Sequence, residues 1–293
     1  MTEKPFTVAF GDYPLATKLR NLAGQEFAFV DVKPVTKTFK PMLDHQAYDI
    51  GEMASVTLLQ GKVYGHPVHM LPITMLARFQ QRTLVGNTDF GVPDVTQLEG
   101  KTVGVRSYAQ TTGVWVRGLL SHNYGVDLRK IRWISFEDAH VAEFRDPAGV
   151  TRAPEGSKVA AFLQEGKVDA AIIGNELPKD DARLQPILAN PEADAFAWYE
   201  RTGVVPINHV MVVSESMLDR HPDKVRDFYR LAMAAKADGG GRVEQGIDMN
   251  PIGFEALETS LQFLIEIARE QGLIPSSLAP ADLFDPRVRE ICT

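Results

Sequence analysis

His209 and Glu52 are the side chains best suited to moving a proton in this sequence. An imidazole titrates near neutrality, so His209 can give or take a proton under ordinary conditions. It sits in Pro206-Ile207-Asn208-His209, just ahead of the apolar run 210–213. Glu52 follows Tyr48-Asp49-Ile50-Gly51, where a strand is expected to end, and could accept a proton or orient a histidine. The plainer readings stay open: His209 as a hydrogen-bonded hinge residue, Glu52 as a surface or capping carboxylate.

Around these two stand groups that recognise anions. Arginine grips a carboxylate best, because its planar fork donates two parallel hydrogen bonds. Arg106 directly follows the buried strand expected over 102–105, Arg117 lies one helical turn past Gly113, and Arg78 and Arg82 flank an extended segment. Thr111 and Thr112 open a helix whose free N–H groups and positive end can hold a carboxylate, or they simply cap that helix. Asp12, Tyr13 and Asn208 are polar residues at other strand ends. His66 is a further candidate for substrate binding. With His69 it raises the question of a metal, but Pro67 falls between them and no His-Glu-x-x-His or cysteine cluster exists. No metal and no cofactor are expected.

Composition narrows the classes. The net charge of −7 argues against a nucleic-acid binder, which needs a basic face. Cys292 is the only cysteine, so there is no disulfide framework. No apolar stretch reaches the ~20 residues that span a membrane. Met1-Thr2-Glu3-Lys4-Pro5 runs straight into the alternating pattern Phe6-Thr7-Val8-Ala9-Phe10 with no export signal. The expectation is a cytoplasmic protein whose partner is a small molecule; a homo-oligomer is compatible with the sequence.

These side chains need a scaffold that brings strand ends together. Short apolar runs alternate with segments of helical period, as in a largely parallel sheet covered by helices. Strands are expected over 6–10, 27–32, 69–76, 83–87, 102–105, 131–135, 168–173 and 210–213. Helices are expected over 17–22, 39–45, 55–60, 114–122, 159–164, 222–237 and 254–271, and residues 136–156 read as loop and edge. In such folds ligands bind outside the carboxyl ends of strands.

Leu98-Glu99-Gly100-Lys101-Thr102-Val103-Gly104-Val105, followed later by Phe162-Leu163-Gln164-Glu165-Gly166-Lys167-Val168-Asp169-Ala170, resembles the second lobe of type II periplasmic binding proteins. A closer resemblance is carried by Gly11-Asp12-Tyr13, Asp49-Ile50-Gly51-Glu52-Met53, Thr112-Gly113-Val114-Trp115-Val116-Arg117-Gly118 and Thr202-Gly203-Val204-Val205-Pro206-Ile207-Asn208-His209. These phrases are similar to the 4,5-dihydroxyphthalate decarboxylase family.

The resemblance implies a two-lobed α/β fold with a ligand cleft between lobes, lobe one holding 1–85 and 205–293 and lobe two 86–204. It implies cofactor-independent loss of CO2 from a hydroxylated aromatic dicarboxylate, with His209 as general acid, Glu52 taking the phenolic proton or orienting a histidine, and the arginines gripping the spectator carboxylate. Gln81-Arg82 stand where that family often carries Arg-His, so a sister activity stays open. The alternative is a solute-binding protein or sensor that holds a small carboxylate without catalysis.

Overall fold

The computed structural model describes residues 4–174, 177–178, 180–275 and 278–293; the reading of Met1-Thr2-Glu3 lies outside them. The chain divides into two compact units. Unit 1 comprises Met1–Arg78, Ile207–Glu266 and Ile274–Thr293, and unit 2 comprises Phe79–Pro206 and Ile267–Leu273.

The first segment of unit 1 runs β1 (Phe6–Ala9), α1 (Pro14–Leu22), β2 (Phe27–Val30), α2 (Phe39–His45), β3 (Ile50–Ala54), α3 (Ser55–Val63) and β4 (Val68–Ala77). Unit 2 follows with β5 (Leu84–Asn87), β6 (Thr102–Val105), α4 (Thr111–Tyr124), β7 (Arg132–Ser135) and β8 (Val150–Arg152). It continues through α5 (Val159–Gln164), β9 (Ala170–Ile172), β10 (Leu184–Pro186) and α6 (Pro191–Thr202). The chain then supplies β11 (Ile207–Ser214), α7 (Glu215–Arg220), α8 (Pro222–Ala235), the hairpin β12 (Val243–Glu244) and β13 (Ile247–Asp248), α9 (Phe254–Glu270) and α10 (Pro286–Ile291).

The two large sheets share one plan. In unit 1 the order is β2-β1-β3-β11-β4, and in unit 2 it is β10-β5-β9-β6-β7-β8. Each has a run of parallel strands, β2-β1-β3 or β9-β6-β7-β8, joined by one antiparallel strand, β11 or β5. The sheets are therefore mixed where the alternation of apolar runs predicts a largely parallel one. Periodicity reports that a strand is buried on both faces but not which way its neighbour runs.

Local chemistry explains the covering helices. α8 starts with Pro222 in its first turn, where a missing N–H costs nothing, and has Asp223 near the positive end. Val225, Phe228, Ala232 and Ala235 repeat at helical spacing and are buried. Removing side chains of this size from water is worth about 1.5–3 kcal/mol for each Val or Phe. The helix stops in a single π-turn, Lys236–Gly240, where Gly239 takes φ +82°, so the glycine run does break it as its composition predicts. α6 was not expected. Pro191 opens it, Glu192 and Asp194 lie in its first turn, and Gly203 at φ +66° closes it.

Among the described residues no helix is long and apolar enough to cross a membrane.

Candidate functional site

β3 and β11 are antiparallel neighbours with His209 opposite Ala54 and Met211 opposite Glu52. Side chains two apart on a strand share a face, so Glu52 and His209 are diagonal neighbours across the pair. His209 Nδ1 lies 2.5 Å from Glu52 Oε1. Glu52 has no exposed surface, while 15% of the His209 side chain is exposed. The carboxylate thus sits behind the imidazole and the ring faces outward. Both residues lie inside strands, not at the tips, because β3 continues through Met53-Ala54 and β11 begins at Ile207.

A buried carboxylate needs donors. Glu52 has three: the backbone N–H of Gly11 reaches Oε2 at 2.7 Å, the Tyr13 hydroxyl reaches Oε1 at 2.9 Å, and His209 supplies the third. Tyr13 keeps its proton, since burial first and the negative charge of Glu52 second hold its phenol far above the usual range. Phe39 meets the His209 ring edge to face at 5.1 Å and fixes its plane. With Nδ1 donating to Glu52, Nε2 is the ring nitrogen that the carboxylate does not hold. This arrangement makes Glu52 an orienting group for His209. The roles of Gly11 and Phe39 were not legible in the sequence: one acts through its backbone and the other through packing.

The other expected residues of unit 1 are spread. Arg78 is partly buried; burial lowers its pKa, Tyr13 opposes that shift, and the like charge of Arg242 reinforces it. Arg242, which no motif marks, anchors to the Ala77 carbonyl at 3.0 Å. Asp12 turns to Arg20 at 2.8 Å and Lys33 at 2.9 Å, and these cations hold its carboxyl below the usual range. His66 lies 3.3 Å from the Leu43 carbonyl. His69 pairs with Glu215. Asn208 is buried within β11.

In unit 2, Arg106 leaves the end of β6, one-fifth exposed, with Nε 3.7 Å from Glu137. It lines a cavity of about 200 Å³. Thr111 and Thr112 are buried in the first turn of α4, and the exposed Arg82 pairs with Glu192. Arg117 differs from its expected place. It has no exposed surface. Its Nε donates to Gln271 at 2.7 Å and its Nη2 to the Tyr108 carbonyl at 2.5 Å. The guanidinium stacks 3.9 Å over the Tyr108 ring. Burial pulls its pKa down to about 10, which still leaves it charged at neutrality. Gly113 permits this packing, because a Cβ there would stand 2.8 Å from Val105 and 3.2 Å from Arg117 Nη1. Arg117 is an internal brace.

No family model matches the chain. A 4,5-dihydroxyphthalate decarboxylase of Comamonas testosteroni is 28% identical over 240 residues, covering 76% of this chain and 72% of that protein. A second, from Pseudomonas putida, is 25% identical over 217 residues, covering 68% and 83%. Among solved structures, the periplasmic aliphatic sulphonate binding protein SsuA of Escherichia coli matches with a TM-score of 0.59 at 10% identity, covering 97% of this chain and 92% of that one. The desulfurization enzyme DszB matches with a TM-score of 0.53 at 16% identity, covering 97% and 98%. The fold is that of the two-lobed periplasmic binding proteins, and the sequence likeness, at modest identity, is to the 4,5-dihydroxyphthalate decarboxylases.

Proposed function

We propose that the protein is a cofactor-independent carboxy-lyase that removes CO2 from a hydroxylated aromatic dicarboxylate, 4,5-dihydroxyphthalate or a close relative. The observation that carries this reading is the imidazole of His209, partly exposed and backed by the fully buried Glu52. A protein that only binds a ligand has no need of an ionisable group held at such a cost. The names of the two sequence relatives support the same chemistry.

The reaction sets the requirements. Direct loss of CO2 would leave an in-plane aryl anion that the ring cannot stabilise. Protonating the carbon that bears the carboxylate first avoids it, with electrons supplied by the hydroxyl para to that carbon. His209 Nε2 gives the proton and the ring takes it. The carbon–carboxylate bond then breaks, its electron pair restores the aromatic ring, and CO2 leaves. The imidazole regains its proton from solvent, so one proton is consumed for each CO2 released. Positioned proton transfer contributes typically about 10²–10⁴-fold, and fixed charges near the developing ring charge supply more.

The second reading is a solute-binding protein or sensor, favoured by the likeness of the fold to sulphonate-binding proteins. One experiment separates them. Purified protein is incubated with a panel of aromatic di-acids, and CO2 and product are measured beside thermal-shift binding. The carboxy-lyase reading predicts CO2 and 3,4-dihydroxybenzoate from 4,5-dihydroxyphthalate. Binding without any turnover across the panel would overturn it in favour of the binding protein.

A further inference from the structure

The cavity beside Arg106 has a wall and a rim of different character. Phe136 and Val159 form apolar wall, and they lie close against β6 because Gly104 has no side chain. A Cβ at Gly104 would stand 3.1 Å from Val159 Cγ2 and 3.5 Å from Phe136 Cε2. Phe162 backs the Phe136 ring edge to face at 4.9 Å. The rim carries Arg106, Lys158, Glu137 and the Ser157 hydroxyl. The Arg106 carbonyl accepts both the Phe136 N–H at 2.9 Å and the Glu137 N–H at 2.7 Å. That pair of bonds ties the cationic end of β6 to the aromatic and acidic residues that follow β7.

We infer that this cavity recognises the ring of a hydroxylated aromatic dicarboxylate, Arg106 and Lys158 taking its two carboxylates and Glu137 accepting a ring hydroxyl. The substrate class rests on the carboxy-lyase reading; the roles of the residues rest on the cavity's own chemistry. Its volume of about 200 Å³ is below the usual range of about 300–1,000 Å³ for drug-sized ligands, which suits a single ring. Phe136 offers a face for that ring, and two cations against one acid leave a net positive rim for a dianion. Glu137 would repel a third carboxylate but accepts from a phenol, so it reads the hydroxyls while the cations read the acids.

Calorimetric titration of the full chain tests this with three probes: 4,5-dihydroxyphthalate, phthalate, which lacks the hydroxyls, and 3,4-dihydroxybenzoate, which lacks one acid. Lys158→Met is expected to weaken both dicarboxylates by about tenfold or more, the scale of a charged hydrogen bond, and the monocarboxylate by less than about threefold on the same scale. Glu137→Gln is expected to erase the preference for 4,5-dihydroxyphthalate over phthalate while leaving phthalate affinity intact. Wild-type affinity of both variants for all three probes would overturn the inference, as would uniform weakening. If those variants still release CO2 at the wild-type rate, only the pocket assignment falls. If the wild type binds none of the probes, the pocket and the carboxy-lyase reading fall together.

Discussion

Glu52 in unit 1 and Arg117 in unit 2 both lack exposed surface, yet their surroundings put the two charges to different use. Arg117 is enclosed by an amide, a carbonyl and the faces of Tyr108 and Trp133, none of which takes up a proton near neutrality. Glu52 is enclosed by a backbone N–H, a phenol and an imidazole, and of these the imidazole is partly exposed. The sheets sharpen the contrast. Where β3 and β11 carry Glu52 and His209, the matching pair β9 and β5 brings Ile172 against Leu84 and Ala171 against Val85. The same topology is stable with an apolar seam, so the fold does not demand a carboxylate there. A buried ionised group costs several kcal/mol of desolvation before its partners offset it, and a carboxylate held behind a partly exposed imidazole fits the proposed chemistry.

Substitutions at the two buried charges should separate them. Glu52→Gln keeps the shape but removes the charge behind His209, and turnover is expected to fall by about 10²–10⁴-fold, with a much smaller change in melting temperature. Steady-state rates beside a thermal melt check this. Arg117→Met should do the opposite. It strands the Tyr108 carbonyl and Gln271, costing about 1–3 kcal/mol for each buried group left unsatisfied, so denaturant melts should shift while affinity for ligand holds. Equal effects of both variants on rate would erase the distinction.

A third charge cluster, again in unit 1, sits nearer the surface, where Arg287 holds the Asp285 carboxyl pKa down at about 2. Its folded pKa lies below the unfolded value of about 3.9. The contribution to stability is therefore complete above that value and is lost as pH falls toward 2. Asp285→Asn should lower the melting temperature at pH 7 and leave it unchanged near pH 2. The smallest effect is expected at Tyr13, one of three donors to Glu52: Tyr13→Phe should slow turnover by about tenfold, as loss of one hydrogen bond of ordinary strength would, without altering the fold seen by circular dichroism.

Glu52 and His209 stand out by residue type, but their contact was not legible. Glu52 and His209 stood beside apolar runs that read as strand ends, whereas register across β3 and β11 depends on pairing between segments 157 residues apart. Arg117 shows the complementary failure. Helical spacing puts it one turn past Gly113 but cannot say which side of α4 faces the core, and its partner Gln271 lies 154 residues away. The wall and rim supplied by Phe136, Glu137, Ser157 and Lys158 fall in or beside a charged, Pro-containing stretch that reads only as loop and edge. Their grouping depends on Gly104 letting Phe136 and Val159 close in on β6.

The central claim is that His209 delivers the proton that allows CO2 to leave. The most direct measurement is CO2 release from 4,5-dihydroxyphthalate by His209→Ala, with ligand affinity determined by calorimetry on the same preparation. The account predicts affinity within a few-fold of wild type and turnover lower by about 10²–10⁴-fold. Turnover at the wild-type rate in that variant would contradict it.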